Sequence, residues 1–126
     1  MALRCLIVDD NHAFLDAARV LLEREGLTIA GVASTSAEAL RKAESLRPDV
    51  VLVDMMLGKE SGAELARRLV EGDRGGGSTV ILISTNAEDD IAELVTGSPA
   101  AGFLSKAELS ASGIRRMVDG DMRRRR

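Results

Sequence analysis

The sequence predicts an α/β fold built on a parallel sheet, and three observations lead to that prediction. Five short apolar runs rich in β-branched residues alternate with helix-like segments along the 126-residue chain. The runs are almost continuously apolar, as in parallel strands that are covered on both faces. Helix stop signals, Gly26 and Pro48, fall just before two of the runs. The chain is therefore predicted to be one domain, 1–126, of (βα)5 type with right-handed crossovers.

Each predicted strand is followed by a helical pattern. In chain order the predicted strands are Leu3–Val8, Leu27–Ala33, Asp49–Val53, Thr79–Ile83 and Ala101–Ser105. Asn11 and Asn86 are expected to cap the first and fourth helices. The second and third helices begin with capping-box spacings, at Thr35 and Ser61. The spacing of apolar residues in the first helix predicts a buried stripe of Phe14, Ala18, Leu21 and Leu22.

Composition excludes several classes of protein. The net charge is -3 and the pI about 5.2, so the chain has no general attraction to nucleic acid or to membrane surfaces. Cys5 is the single cysteine, which excludes a disulfide framework and fits a reducing compartment. Only Phe14 and Phe103 are aromatic, too few for stacking nucleobases or a flavin ring. No apolar stretch approaches about 18 residues and no signal peptide is recognisable, so a cytoplasmic location is predicted.

Polar residues follow four of the five runs at the point where each run ends. Asp9 and Asp10 follow the first run, Asp54 the third, Ser84 the fourth and Lys106 the fifth. In open α/β sheets, ligands bind outside the carboxyl ends of the strands. We therefore expect these five side chains, which are distant in sequence, to lie together in space.

This set of side chains has the chemistry of a magnesium and phosphoryl site. Three clustered carboxylates cannot all stay ionised cheaply, and a hard divalent cation such as Mg²⁺ relieves their repulsion. Lys106 and Ser84 would offer a positive charge and a hydroxyl donor to phosphoryl oxygens. One carboxylate would be the nucleophile that forms an aspartyl-phosphate. Asp54 is the best candidate, because the adjacent Asp9 and Asp10 are better placed to hold the metal.

The chain resembles the receiver (CheY-like) domain of bacterial two-component response regulators over essentially its whole length. The motifs that carry this resemblance are Leu6-Ile7-Val8-Asp9-Asp10, the run from Arg47 to Asp54, Gly62, Ile83-Ser84-Thr85 and the run from Ala101 to Lys106. Together these motifs are highly specific, although none is decisive alone. The resemblance implies a flavodoxin-like, doubly wound sheet of five parallel strands in the order 2-1-3-4-5.

The resemblance also implies roles for the acidic residues. Asp54 would be the phosphoacceptor. Asp10 and Asp54 would bind Mg²⁺ directly, together with the backbone carbonyl of Met56, while Asp9 would act largely through water.

A signalling switch is implied at the other strand ends. Ser84 and Lys106 would bind the phosphoryl group, and Phe103 falls at the family's aromatic switch position. The face formed by the fourth helix, fifth strand and fifth helix would then change its affinity for partners. By resemblance, the donor is a sensor histidine kinase or phosphotransfer protein and the reader is a downstream protein effector. Direct DNA binding, membrane association and turnover of a separate substrate are not expected, and a homodimer through the same face is left open.

Two positions depart from the family pattern. The family often has Met-Pro three and four residues after the acceptor, where this chain has Leu57-Gly58. Glycine at this position would leave the loop freer than proline would. The family's lysine is often followed by a cis proline, whereas Ala107 follows Lys106 here. A non-proline cis bond costs about 3–4 kcal/mol, so a trans bond is expected.

Three other interpretations stay open. A receiver-like scaffold that is never phosphorylated would share these motifs. A phosphohydrolase of the haloacid dehalogenase type also uses an Asp nucleophile with Mg²⁺, but that family needs Asp-x-Asp where this chain has Asp9-Asp10-Asn11. A flavodoxin-like electron carrier would need a hydroxyl-rich phosphate loop after the first strand.

The remaining charged features have ordinary interpretations. His12 has no histidine or cysteine partner in the sequence and is expected to face solvent. Arg123–Arg126 is expected to be a solvated tail, with a basic docking tail as the alternative. The chain is expected to be a stand-alone receiver, although a receiver cut from a longer regulator would have the same sequence.

Overall fold

A five-stranded parallel sheet forms the centre of the molecule. The computed structural model describes residues 3–72, 77–85 and 102–124. The strands are β1 (Arg4–Val8), β2 (Thr28–Ala33), β3 (Val50–Asp54), β4 (Thr79–Ser84) and β5 (Gly102–Ser105). Their order in the sheet is β2-β1-β3-β4-β5, and every pairing is parallel. The predicted fold class and strand order are confirmed, with each strand within one residue of its predicted ends.

Helices cover both faces of this sheet. They are α1 (His12–Arg24), α2 (Ser36–Leu46), α3 (Gly62–Gly72) and the C-terminal helix (Ala111–Arg124). A single 3₁₀ turn, Lys106–Glu108, follows β5. A short antiparallel hairpin, Met56–Leu57 paired with Glu60–Ser61, lies between β3 and α3. The predicted fourth helix, with its expected cap Asn86, lies outside the described residues.

The first two predicted helix starts are confirmed. Asn11 caps α1, because its side-chain oxygen accepts a hydrogen bond of 3.1 Å from the backbone N–H of Phe14. Thr35 caps α2 by accepting a bond of 3.1 Å from the N–H of Glu38. The returning half of the capping box differs from the prediction, since Glu38 accepts from the N–H of Ser34 and not of Thr35. The box is therefore displaced by one residue, and it still satisfies two backbone donors at this helix end.

At the start of α3, only half of the predicted capping box forms. Ser61 Oγ accepts a hydrogen bond of 3.2 Å from the N–H of Glu64. The Glu64 carboxylate does not return to Ser61, because it pairs with Arg67 one turn further along, at 2.5 and 2.6 Å. An ion pair at this spacing competes directly with the box for the same carboxylate.

Two apolar cores lie on opposite faces of the sheet. Alternate residues of the strands face α1 and the C-terminal helix on one side, and α2 and α3 on the other. β1 divides in this way, with Cys5 and Ile7 in the first core and Leu6 and Val8 in the second. This double covering explains why the strand sequences are almost continuously apolar.

The predicted stripe of α1 needs one correction. Ala18 and Leu22 are buried, and Phe14 is partly buried, as predicted. Leu21, however, is 39% exposed, and Leu15 takes its place in the core. Positions 15, 18 and 22 repeat at three and four residues, so the buried face lies slightly to one side of the predicted stripe.

Candidate functional site

The three predicted acidic residues lie together at the carboxyl edge of the sheet, where the parallel strands end. Asp9 directly follows β1, and Asp54 is the last residue of β3. Carboxylate oxygens of Asp9, Asp10 and Asp54 all lie within 4.8 Å of one another. Asp9 and Asp54 are 0% and 7% exposed, whereas Asp10 is open to solvent. Two negative charges are therefore buried side by side, with the third at the mouth of the site.

Lys106 enters this cluster from the end of β5. Its ammonium lies 2.5 Å from Asp9 Oδ2 and 3.7 Å from Asp54 Oδ2, and the side chain is only 12% exposed. The contact with Asp9 is an ion pair, since no donor in the described part of the chain meets hydrogen-bond geometry at Asp9 Oδ2. One ammonium thus faces two buried carboxylates, so the cluster keeps an excess of negative charge.

The electrostatic effect appears at Asp54. Burial raises the pKa of its carboxyl to about 6, and the neighbouring Asp9 charge adds to this rise. The Lys106 charge and a hydrogen bond from the Met56 backbone oppose it. The carboxylate is still largely ionised at neutral pH, so it can act as a nucleophile. A bound cation would favour the ionised carboxylate and so oppose the burial and the Asp9 charge that raise this pKa.

The donor set fits a hard divalent cation. Three carboxylates supply only oxygen ligands, which is the set that Mg²⁺ prefers. The buried Asp9 Oδ2 contacts the Lys106 ammonium but accepts no hydrogen bond from the described residues, so it can still act as an oxygen ligand. Asp9, Asp10 and Asp54 are the residues that would hold the ion.

Ser84 and Phe103 lie on neighbouring strands near this cluster. Ser84 is the last residue of β4, is 2% exposed, and pairs in register with Ser105, just before Lys106. Ile83, the residue before it, pairs with Asp54. Phe103 is partly buried and packs against the core on the side of α2 and α3. Ser84 thus lies at the predicted edge, whereas Phe103 lies within its strand and pairs with Leu82. The switch roles of both residues stay predictions.

The hairpin after Asp54 carries Met56, whose carbonyl is the remaining predicted metal ligand. Met56 pairs with Ser61, and a two-residue turn of Gly58 and Lys59 joins the two strands. Gly58 has a φ of 60°, which is common for glycine in two-residue hairpin turns and cannot be adopted by proline. The chain therefore forms a defined hairpin where the sequence suggested a freer loop. The metal role of the Met56 carbonyl stays a prediction.

Gly62 brings α3 against the acceptor strand. Its N–H donates to the Met55 carbonyl at 2.9 Å. A Cβ at this position would overlap the Asp54 carbonyl oxygen and lie 2.8 Å from Met55 Cα. Only glycine permits this approach, which places the hairpin and α3 beside the site.

Sequence reasoning missed two contacts at this edge. The Lys106 ammonium lies 4.2 Å from the centroid of the Phe14 ring, although Phe14 was predicted only as a core residue. Glu60 of the hairpin accepts a hydrogen bond of 3.0 Å from the N–H of Ser36, at the start of α2. Both contacts join segments far apart in sequence, so no local pattern could reveal them. The Lys106–Ala107 bond is trans, as expected, since the described residues contain no cis peptide bond.

Comparison with known proteins identifies the class to which this fold and site belong. A profile of the response regulator receiver domain matches residues 5–118, and the chain belongs to this family. It is 31% identical over 117 residues to the response regulator GacA of Pseudomonas viridiflava, covering 92% of this chain and 52% of that protein. The chain spans about half the length of the curated relatives it matches.

Solved structures of response regulator proteins have the same fold as this chain. A CheY-like response regulator receiver domain protein from Methanospirillum hungatei superimposes with a TM-score of 0.81 at 25% identity, over 98% of this chain and 99% of that one. A response regulator protein from Burkholderia pseudomallei, described with a phosphorylated aspartic acid, a calcium ion and citrate, gives a TM-score of 0.76 at 25% identity. That match covers 91% of this chain and 65% of the other.

Family membership settles the general function. Receiver domains of two-component regulators are signalling switches that respond to phosphorylation, and they are not enzymes acting on a separate substrate. They interact with histidine kinases or phosphotransfer proteins, and they generally bind Mg²⁺. Among the described residues, no helix is both long enough and apolar enough to cross a bilayer.

Proposed function

We propose that this chain accepts a phosphoryl group on Asp54 from a phosphohistidine donor and then changes its affinity for a protein partner. The observation that carries the proposal is the placement of the Lys106 ammonium 3.7 Å from Asp54 Oδ2, beside three carboxylates gathered within 4.8 Å. A nucleophile, a cation-binding acid cluster and a fixed positive charge are the components that phosphoryl transfer to a carboxylate requires. The relative with a phosphorylated aspartic acid supports the same assignment.

Each residue of the site has its own role in the proposed phosphoryl transfer. A carboxylate oxygen of Asp54 attacks phosphorus while the bond from phosphorus to the donor's imidazole nitrogen breaks, leaving an acyl phosphate and a free histidine. Lys106 pairs with an oxygen of the transferred group, and the Ser84 hydroxyl donates to another. Asp9, Asp10, Asp54 and the Met56 carbonyl would hold Mg²⁺, which would supply further positive charge for these oxygens. Attack by water on phosphorus later releases phosphate and restores the carboxylate.

The switch is proposed to be an equilibrium between two conformations. Repositioning of Ser84 and Phe103 around the new phosphoryl group would alter the face formed by the fourth helix, β5 and the C-terminal helix. A full shift from 1:99 to 99:1 needs about 5.5 kcal/mol of differential stabilisation. Charge-assisted contacts contribute about 1.5–3 kcal/mol each, so three contacts, from Lys106, Ser84 and a metal ion, supply an amount of this order. If Lys106→Ala left the phosphorylated conformation unchanged, as followed by NMR, this coupling scheme would be wrong.

The test is intact-mass spectrometry after incubation with acetyl phosphate, with and without Mg²⁺. We expect a Mg²⁺-dependent gain of one phosphoryl group on the wild-type chain and none on Asp54→Asn. Asp10→Asn is a useful second variant, since it keeps the nucleophile and removes one carboxylate of the cluster. A folded wild-type chain that gains no mass would contradict the proposal and favour a receiver-like scaffold that binds partners without phosphorylation.

A further inference from the structure

The ring of Phe14 lies against the ammonium of Lys106, and neither the family motifs nor the acid cluster accounts for this contact. The Nζ atom is 4.2 Å from the ring centroid, well inside the distance of about 6 Å at which a cation is attracted to an aromatic face. The same ammonium contacts Asp9 and Asp54 on its other sides. It is therefore enclosed between two carboxylates and one aromatic ring.

Local hydrogen bonds hold Phe14 in that position. The N–H of Asn11 donates to Asp9 Oδ1 at 2.9 Å, and Asn11 Oδ1 accepts from the N–H of Phe14 at 3.1 Å. The Phe14 ring then faces Lys106, whose ammonium returns to Asp9 Oδ2. Asp9, Asn11, Phe14 and Lys106 thus form a closed ring of contacts. This ring links the first turn of α1 to both oxygens of the buried Asp9 carboxylate.

We propose that Phe14 is a positioning residue that holds the Lys106 ammonium at the phosphoryl site. This inference rests on the proposed function, because it assumes that Lys106 binds the phosphoryl group. A lysine has a flexible four-carbon stem and a strongly hydrated head, so a free lysine would spend much of its time in solvent. The Phe14 ring covers the ammonium and limits the positions that the stem can take.

A plain packing role for Phe14 makes different predictions. Phe14 is also packed against the core on the side of α1 and the C-terminal helix. Leucine at this position would keep the apolar contact but lose the aromatic face, and tyrosine would keep both. A ring-dependent effect on Lys106 therefore separates the positioning role from packing.

The experiment compares wild type with Phe14→Leu and Phe14→Tyr. The first readout is the rate of Asp54 phosphorylation by acetyl phosphate and Mg²⁺, followed by intact mass. We expect Phe14→Leu to slow this rate by roughly threefold to tenfold and Phe14→Tyr to stay near wild type. Leu21→Ala is the control, since Leu21 is an apolar residue of the same helix whose side chain is 39% exposed.

The second readout is NMR of the unphosphorylated protein without metal. The ε-methylene protons of Lys106 should be shifted upfield by the ring current in wild type and Phe14→Tyr, and should return to ordinary values in Phe14→Leu. A loss of stability through packing alone would not produce this pattern.

The outcomes are distinguishable. The positioning role is overturned if the Lys106 protons show no upfield shift in wild type, or if Phe14→Leu is phosphorylated as fast as wild type. Equal slowing in Phe14→Leu and Phe14→Tyr also overturns it, because the aromatic face would then be irrelevant. A wild-type chain that takes up no phosphoryl group overturns the proposed function itself, which the Asp54→Asn comparison identifies separately.

Discussion

Acidic residues have different partners at the amino edge of the sheet, where the strands begin, and at the carboxyl edge, where they end. At the amino edge, Asp49 Oδ2 accepts a hydrogen bond of 2.8 Å from the N–H of Arg4, and the buried Thr79 hydroxyl donates to Asp121 at 2.8 Å. At the carboxyl edge, Asp9 and Asp54 are buried side by side with one ammonium between them. Each of these acids at the amino edge therefore accepts a hydrogen bond, whereas two acids at the carboxyl edge share one positive charge.

This difference shows where the molecule gives up stability for function. Buried charges that are paired and hydrogen-bonded stabilise a fold or are neutral to it, whereas crowded carboxylates destabilise it. Asp54 carries this cost, because burial and then the neighbouring Asp9 charge raise the pKa of its carboxyl. The same crowding creates the affinity for a cation and the reactive carboxylate. Removal of an acid should therefore stabilise the protein at the carboxyl edge and destabilise it at the amino edge.

The largest effect is expected from Gly62→Ala, which tests how tightly the carboxyl edge is built. The new Cβ would overlap the Asp54 carbonyl oxygen, so the hairpin or α3 must move. We expect a loss of about 3 kcal/mol or more in the free energy of unfolding, measured by urea denaturation. A loss below about 1 kcal/mol would mean that the edge can relax, and the view of a rigid site would be wrong.

Asp54→Asn should stabilise the metal-free protein at neutral pH. The native pKa of about 6 lies above the ordinary pKa of 3.8 for an aspartate side chain, so the folded state binds this proton more tightly than the unfolded state. Charging Asp54 therefore costs stability, an effect that is absent below pH 3.8 and complete above about pH 6. After allowance for solvent screening, we expect a gain of about 1–2 kcal/mol at pH 7.5.

The pH dependence of the stability gain shows whether the gain comes from the lost Asp54 charge or from the asparagine amide itself. Urea denaturation in the presence of EDTA at several pH values should show the gain shrinking towards zero as the pH falls to about 4. A gain that does not change with pH would rule out Asp54 ionisation as its cause. Adding Mg²⁺ should narrow the difference at pH 7.5, because the ion binds the wild-type folded state and stabilises it by mass action.

Asp121→Ala examines the amino edge, where removal of an acid should destabilise the protein. It leaves the hydroxyl of Thr79, a residue only 1% exposed, without its carboxylate acceptor. We expect a loss of about 1 kcal/mol, because the lost charged hydrogen bond is partly offset by removal of an acid near a helix C-terminus. Thermal unfolding at pH 7.5 is the measurement. A stabilised variant would abolish the contrast between the two edges.

The sequence was sufficient to predict features that depend on local patterns. Strand ends, the caps Asn11 and Thr35, and the gathering of Asp9, Asp10 and Asp54 all follow from short segments and from one rule about parallel sheets. Fold class and strand order followed from the family motifs as well.

Features that depend on packing between distant segments were not predictable. The hairpin strands are two residues each, too short for any periodic signal, and they depend on the positive φ of Gly58. The contact between Phe14 and Lys106 joins the first helix to the last strand end. The exposure of Leu21 depended on the exact rotation of α1, which a helical pattern fixes only approximately.

Gly120→Ala gives the smallest effect and makes the same chemical change as Gly62→Ala, away from the crowded edge. Gly120 lies inside the C-terminal helix, and a Cβ added there would meet no atom within 4 Å. Alanine lowers the entropy of the unfolded chain and favours the helix, so we expect a gain of about 0.5–1 kcal/mol in unfolding free energy. If urea denaturation showed both alanines to be destabilising to a similar degree, the cost at Gly62 could not be assigned to overlap with the acceptor strand. Opposite signs would place that cost at the carboxyl edge, where the reactive carboxylate is held.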